Sequence, residues 1–480
     1  MDAPDGDQSA QAVHALPADH TPCAVAAVEG RVQAGAADVS LLKAPTMLRQ
    51  RLASGFGQSL VVFAVKGGAG AASLLVFACV ARMCGAEEFG RFGLLFSAAM
   101  FVASFAALGQ QALLVKEAPK LRLQHDAAGE RALYRFSILV TAIGALIGFV
   151  ALVAWGRAAG GLVLPSVAAA ALSVLFAISQ TTLGILRVND RLLLGIATRD
   201  LAWRLLALVG LVVVWRVGGA SQSAGSMLLV VAAALLLAVL PHWQVIRRRL
   251  GELAHGARDA SAHPRTWFGA TAGLAVVGMI AGADQTLFTV ALGRLESPVG
   301  VGAFFASVKV VEVVNLFMVS VALTVAPALS RAVALGDRAV LQVECRKAAG
   351  SLFLPVVAAC LVLTVGAPLI LGVFDTSFSS EANVLRILAA AMLVNALTGA
   401  TGLLMQLAGM HWRLVVFQGG AILAVLACLP MLVGRFGVEG AALAYLASKV
   451  LWNVLALVAI RKRLGIDPSC LSLMPGRAVA

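Results

Sequence analysis

The sequence predicts an all-α polytopic membrane protein of about twelve transmembrane helices, set as two six-helix lobes around a central cavity. Three observations predict it. First, 60% of the 480 residues are hydrophobic and only 13% are charged, with a mean hydropathy of +0.92. A soluble domain could not keep that much apolar surface from water. Second, apolar runs of about 20 residues recur along almost the whole chain, each long enough to cross a ~30 Å hydrocarbon layer as a helix. Third, one helical unit occurs twice. The stretch from Val80 to Gly93 has a weaker copy from Val290 onward, aligning Val80 with Val290, Gly90 with Gly300 and Ser97 with Ser307. An even number of helices separates the copies, which predicts halves related by an axis along the membrane normal, a plan that many transporters use to build a central pathway.

Residues 1–50 hold Ala, Asp, Gln, Pro and Gly without a sustained apolar run. They read as a disordered cytoplasmic tail, and they lack the basic start and short apolar core of a signal peptide. The first lobe covers 51–246, with spans near 56–82, 89–114, 132–155, 163–187, 197–216 and 225–246. Residues 247–266 form the longest polar stretch in mid-chain and read as a cytoplasmic linker. The second lobe covers 267–464, with spans near 267–293, 300–326, 350–374, 383–407, 412–434 and 438–460. Residues 465–480 form a second tail.

Basic residues set the orientation. The even-numbered connections carry Lys116, Lys120, Arg122, Arg131 and Arg135, then Arg187, Arg191 and Arg199, then Arg247, Arg248, Arg249, Arg258 and Arg265, then Arg331, Arg338, Arg346 and Lys347. The odd-numbered ones hold only Arg82, Arg91, Arg157, Arg216, Arg294 and Arg435. The positive-inside rule therefore puts both termini in the cytoplasm. The net charge of +13 follows from this topology, with attraction to membrane lipids as a by-product and no nucleic acid required.

Catalytic and metal-binding patterns are absent from the sequence. Gly67-Gly68 lies inside an apolar run without P-loop spacing. The seven His residues are scattered, and the seven Cys residues show no CxxC spacing. The expectation is a non-enzyme with no cofactor and no metal.

Four passages carry a resemblance: Phe56-Gly57; Ala81 to Phe92; Ala106-Ala107-Leu108-Gly109 with Leu113-Leu114-Val115-Lys116; and Gly437-Val438-Glu439-Gly440-Ala441-Ala442-Leu443-Ala444. With the topology over about residues 50–465, they resemble the polysaccharide flippase family, the lipid-linked oligosaccharide (O-antigen type) branch of the multidrug/oligosaccharidyl-lipid/polysaccharide exporter superfamily. The resemblance implies alternating access. Its implied cargo is an undecaprenyl-diphosphate-linked oligosaccharide, moved from the cytoplasmic to the periplasmic leaflet of a bacterial inner membrane. Lipopolysaccharide or exopolysaccharide synthesis would use that step, with other polysaccharide-assembly proteins as partners. The rival functions are an ion-coupled drug antiporter of the same superfamily and a membrane glycan polymerase. The short odd-numbered connections leave no room for a polymerase's large periplasmic catalytic loop.

Moving a diphosphate past hydrocarbon calls for a hydrated, cationic groove. Ionisable residues deep in a span are costly unless they face a cavity or a partner. Lys66 lies about ten residues into the first span, near mid-membrane by helical rise. It reads as a lumenal cation, with snorkelling to the interface as the competing reading. Lys309 and Asp284 are equidistant from a hairpin tip near Glu296-Ser297, so they could pair across it. Glu312 stands at i+3 from Lys309, which also permits contact, and Asn315 continues that face. Asp284 and Glu312 are the candidates for ion coupling, against a purely structural ion pair. Lys449 lies midway along the last span. Arg204 is a further cargo candidate, set against snorkelling at a helix end. Gln110, Gln111 and Gln285 are candidate cavity polars, and Gln180, Asn395, Gln406 and Asn453 are polar in apolar surroundings. Glu87, Glu88, Arg82 and Arg91 are expected to cap a hairpin at the rim of the first lobe and not to meet cargo.

Overall fold

The computed structural model describes residues 44–158, 163–218, 222–255, 267–268 and 285–473. The chain divides into two compact units, residues 1–61 and residues 62–480. In the first, the described residues are helical from Ala44. The packing below belongs to the second.

Every regular element among the described residues is helical. Helix α1 is Ala44–Cys84, beginning ahead of the expected start near 56, with Pro45 in a first turn where a missing N–H costs little. The expected second span is two helices, α2 (Ala86–Ala106) and α3 (Gln110–Leu123). Positive φ values at Leu108 and Gly109 turn the chain between them. Next come α4 (Ala127–Ala158), α5 (Val163–Val188), α6 (Leu192–Gly218) and α7 (Ala224–His255). Helix α6 carries a π-helical segment at Ala197–Ala202. Helix α7 continues through Arg247–Arg249, where the linker was expected to open.

The second half contains α8 over 285–292, α9 (Pro298–Leu335), α10 (Arg338–Val365), the short α11 (Ala367–Gly372), α12 (Ala382–Leu397) and α13 (Thr401–Leu407). The expected tenth span is thus broken between α12 and α13. The last run, α14 (His411–Leu464), breaks at Gly437, where φ 55 and ψ −137 suit a residue without a Cβ.

Ten helices among the described residues are long and apolar enough to cross a membrane. They correspond to expected spans one to six and eight to twelve, the last two sharing the run broken at Gly437. The seventh lies mostly outside the described residues. Apolar side chains such as Ile147 (65% exposed) and Val365 (80%) point outward, as a lipid-facing surface requires and a water-facing one penalises.

In the first half, α5 packs on α4 and α7, α6 on α7, and α2 on α4 and α5. In the second, α9 packs on α10 and α12, and α12 on α10 and α14. The halves meet where α2 lies against α9, so the two copies of the repeated unit face each other. Gly90 is in backbone contact with Pro298, and a Cβ added at Gly93 would stand 2.6 Å from the Phe305 ring. Small residues let the backbones approach, as helix packing inside a membrane requires. Beside them Phe77, Phe89, Phe92, Phe96, Phe305, Phe374 and Phe378 form a continuous ring cluster from both halves. Each such pair adds roughly 0.5–1.5 kcal/mol beyond area burial.

The rim charges are structural. Arg91 pairs with Glu87 at 2.6 Å and also with Glu88. Glu88 accepts the Ala224 N–H at 2.7 Å, at the start of α7. Arg82 reaches the other half and donates to the Val373 carbonyl at 2.8 Å.

At the opposite end of the first half, Glu130 ties α3 and α7 to α4. Its side chain is 3% exposed and accepts from Arg122 (2.6 Å), Tyr134 (2.6 Å) and Arg249 (3.4 Å). Asn189 accepts from Arg122 at 2.7 Å and extends the knot to the end of α5. Glu130→Gln leaves two cations facing a neutral amide. The expected loss is roughly 2–3 kcal/mol of unfolding free energy, given the partial exposure of both arginines. Chemical denaturation in detergent checks it, and unchanged stability would remove the knot from this account.

Candidate functional site

A cavity of about 410 Å³ opens in the second half of the molecule. Its polar wall comes from five segments. Helix α9 presents Lys309, Glu312 and Asn315, successive positions on one face by i,i+3 spacing. Helix α8 presents Gln285 and Thr286, and α12 presents Asn395. The break before α13 brings in Gly399, Ala400 and Thr401, followed by Gln406. Helix α14 contributes Gln418, Tyr445 and Lys449. Met100 of α2 reaches in from the first half.

Lys309 is held closely. Its side chain is 11% exposed, and its Nζ lies 2.9 Å from Glu312 Oε1. The ammonium also sits 5.2 Å from the Phe305 ring centroid and 5.5 Å from those of Phe77 and Phe96. Ring faces attract a cation electrostatically, more strongly where water is excluded. The charge is thus stabilised by one carboxylate and three aromatics, one of them on α1 and one on α2. Lys449 Nζ lies 5.0 Å from the Tyr445 ring centroid. Among the described lining residues, Glu312 is the one carboxylate, set against two lysines.

The broken helix is pinned by Asn453, which is fully buried. It accepts from Thr398 at 2.7 Å and Thr401 at 3.3 Å, and donates to Asn395 Oδ1 at 3.3 Å and the Lys449 carbonyl at 2.9 Å. One amide thereby fixes the break, a cavity polar and the backbone of a cavity lysine. At Gly399, φ is +73 and the backbone is in contact with the Pro468 carbonyl, so the segment after α14 buttresses the break. Asp467 in that segment receives hydrogen bonds from Ser469 (2.6 Å) and Arg461 (2.6 Å). Burial alone would raise its pKa, but these bonds hold it below the usual carboxylate value. Asn453→Leu removes the acceptor of the Thr401 hydroxyl and leaves Thr398 only carbonyls of its own helix. We expect it to cost about 1–3 kcal/mol and to loosen the break, read as faster hydrogen exchange over residues 398–406 against unchanged exchange in α5.

The sequence-derived candidates fall in separate places. Lys309, Glu312, Asn315, Gln285 and Lys449 converge on this cavity. Asp284 lies outside the described residues. Lys66 and Arg204 instead form a cluster in the first half around Asp200. Lys66 Nζ is 3.2 Å from Asp200 Oδ2, so it is paired and not a lone lumenal cation. Arg204 turns inward, where snorkelling had been the competing reading. It donates to Ser73 Oγ and the Asp200 carbonyl and stacks 4.5 Å from the Trp203 ring centroid. The π-helical segment of α6 displaces Asp200 within its turn, a feature frequent at functional sites. Gln110 and Gln111 line a different cavity in the first half. Gln418, Thr286, Tyr445 and Asp200 escaped the sequence reading. Gln418 is a carboxamide within an apolar run and could have been flagged on that ground.

No protein-family model matches the sequence, and no curated protein matches it. Solved structures do match. One is described as the inward-facing conformation of a multidrug resistance MATE family transporter of the MOP superfamily. It has a TM-score of 0.67 at 13% identity and covers 85% of this chain and 98% of that one. An outward-facing conformation of a MATE family transporter of the same superfamily gives 0.57 at 12% identity, over 85% and 95%. A MOP superfamily transporter from Pyrococcus furiosus, described as having a binding pocket of reverse polarity that suggests a different function, gives 0.54 at 12% identity, again over 85% and 95%. The chain therefore has the fold of the MATE transporters of the MOP superfamily.

Proposed function

We propose that this protein moves an undecaprenyl-diphosphate-linked oligosaccharide from the cytoplasmic to the periplasmic leaflet by alternating access, as a step in polysaccharide synthesis or export. It is a transporter and not an enzyme, and it sits in a bacterial inner membrane with both termini in the cytoplasm. The observation that carries the reading is the second-half cavity. Among its described lining residues, two lysines, Lys309 and Lys449, stand with one carboxylate, Glu312, which pairs with Lys309. Gln285, Asn315, Asn395, Gln406 and Gln418 surround them. Carboxamides both donate to and accept from sugar hydroxyls. Lysines facing a cavity attract anions and disfavour cationic drugs.

The contact of Gly90 with Pro298 closes the rim that carries Arg82 and Arg91, so cargo enters from the other end. Glu312 is the group that takes up a proton or cation when the Lys309 pair opens. A drug antiporter is the second reading. It is favoured by the multidrug description of the matching MATE structures.

Binding separates the two. Purified protein is titrated with an undecaprenyl-diphosphate trisaccharide and with ethidium. The proposal expects glycan-lipid binding weakened roughly tenfold or more by Lys449→Gln, the loss of one charge-assisted contact, and no ethidium binding. Ethidium binding without glycan-lipid binding would favour the antiporter.

A further inference from the structure

The break between α2 and α3 creates a second polar cavity, of about 400 Å³, in the first half. Its size falls within the roughly 300–1,000 Å³ common for small-molecule sites. Lys116, Arg187, Gln110, Gln111 and Gln180 line it. The lining contains two cations and three carboxamides, and no carboxylate among the described residues. Arg187, Gln111 and Gln180 make no hydrogen bond or ion pair to other described residues. Lys116 is only loosely paired. Its one carboxylate neighbour, Glu117, is 3.8 Å away and is engaged by Lys120 at 3.0 Å. Arg187, Gln111 and Gln180 thus bring a cation and two carboxamides to one space without partners among the described residues, which matches an anion that also carries hydroxyls. Guanidinium and ammonium groups take phosphate oxygens, and carboxamides take hydroxyls.

We infer that this cavity is a second binding site, for a hydroxylated phosphate ester. Two sources share that chemistry: the head group of a glycerol-bearing anionic phospholipid, and the sugar diphosphate of a lipid-linked glycan. The site is distinct from the Lys309–Lys449 cavity and does not depend on its cargo, since a phospholipid head group alone would satisfy it. Gln111 and Gln180 come from different helices, α3 and α5, so a ligand between them would brace the break at Leu108-Gly109.

The test uses the full chain in phosphatidylcholine nanodiscs. Calorimetric titrations are made with dihexanoyl phosphatidylglycerol in one arm and farnesyl-diphosphate-linked glucose in the other. Both arms are run in a Lys309→Gln, Lys449→Gln background, which removes both lysines of the other cavity. We expect at least one probe to bind, and the arm that binds names the source. Arg187→Gln should weaken that binding at least tenfold and Gln180→Leu at least threefold. Arg187 lies on an exposed helix end and Gln180 is a neutral exchange, so at least one variant keeps the fold, checked by gel filtration. The proposal is overturned if neither probe binds that background, or if Arg187→Gln and Gln180→Leu both leave its affinity unchanged.

Discussion

Lys309→Gln reduces glycan-lipid transfer by roughly 10- to 150-fold while leaving the helical fold intact. The expectation follows from where the ammonium sits. It is nearly buried, 2.9 Å from Glu312 Oε1, with three aromatic rings around it and a cavity beside it. A charge-assisted contact to a diphosphate is worth about 1.5–3 kcal/mol, which sets the range, since each 1.36 kcal/mol is tenfold. Gln preserves much of the length and polarity but not the charge. A structural pair and a cargo-binding cation are separated by the double variant Lys309→Gln with Glu312→Gln. The readout is glycan-lipid binding, which does not need Glu312 to take up an ion. If the lysine serves only to neutralise Glu312, removing both charges restores binding, because the penalty in the single variant is an uncompensated buried carboxylate. If the lysine meets cargo, the double variant binds as weakly as the single one.

Gly90→Val prevents the rim from closing. A side chain at this position has nowhere to go, because its Cβ would overlap the Pro298 carbonyl and crowd the Gly302 backbone. Backbone atoms cannot rotate away as a flexible side chain can. Overpacking of this kind costs about 1–3 kcal/mol, enough to shift a two-state equilibrium by roughly 5- to 150-fold. The readout is maleimide labelling of Ser307→Cys in a chain whose own cysteines are replaced. Ser307 is fully buried on α9. The valine should raise its labelling from the Arg82 side at least fivefold. Unchanged labelling would mean that the α2–α9 contact is not what seals this end.

Hydropathy made the spans readable because lipid forces each crossing to be both long and apolar. It was blind to the interruptions. The breaks at Leu108-Gly109, Gly399 and Gly437 each depend on one or two residues of positive φ, which barely alter an apolar average. Those breaks in turn decided the site. The first moved Gln110 and Gln111 into their own cavity, and the second placed Gly399 to Gly402 in the wall of the main one. Lys309–Glu312 was legible because it is a local pair three residues apart. Lys66–Asp200 was not, because it closes over 134 residues of sequence. In the sequence the repeat is an offset that aligns Gly90 with Gly300. Its structural counterpart is a contact, since the two copies pack on each other through Gly90, Pro298 and Gly302.

The central claim is that the cation-rich cavity of the second half carries an anionic glycan lipid. The most direct measurement is leaflet transfer of a fluorescent undecaprenyl-diphosphate trisaccharide in proteoliposomes, scored by quenching from one side. Wild type, Lys449→Gln and Lys309→Gln are compared with ethidium efflux in the same vesicles. The account predicts transfer by the wild-type protein, at least tenfold slower transfer in each lysine variant, and no ethidium efflux. Ethidium efflux with no glycan transfer, or glycan transfer indifferent to both lysines, would contradict it.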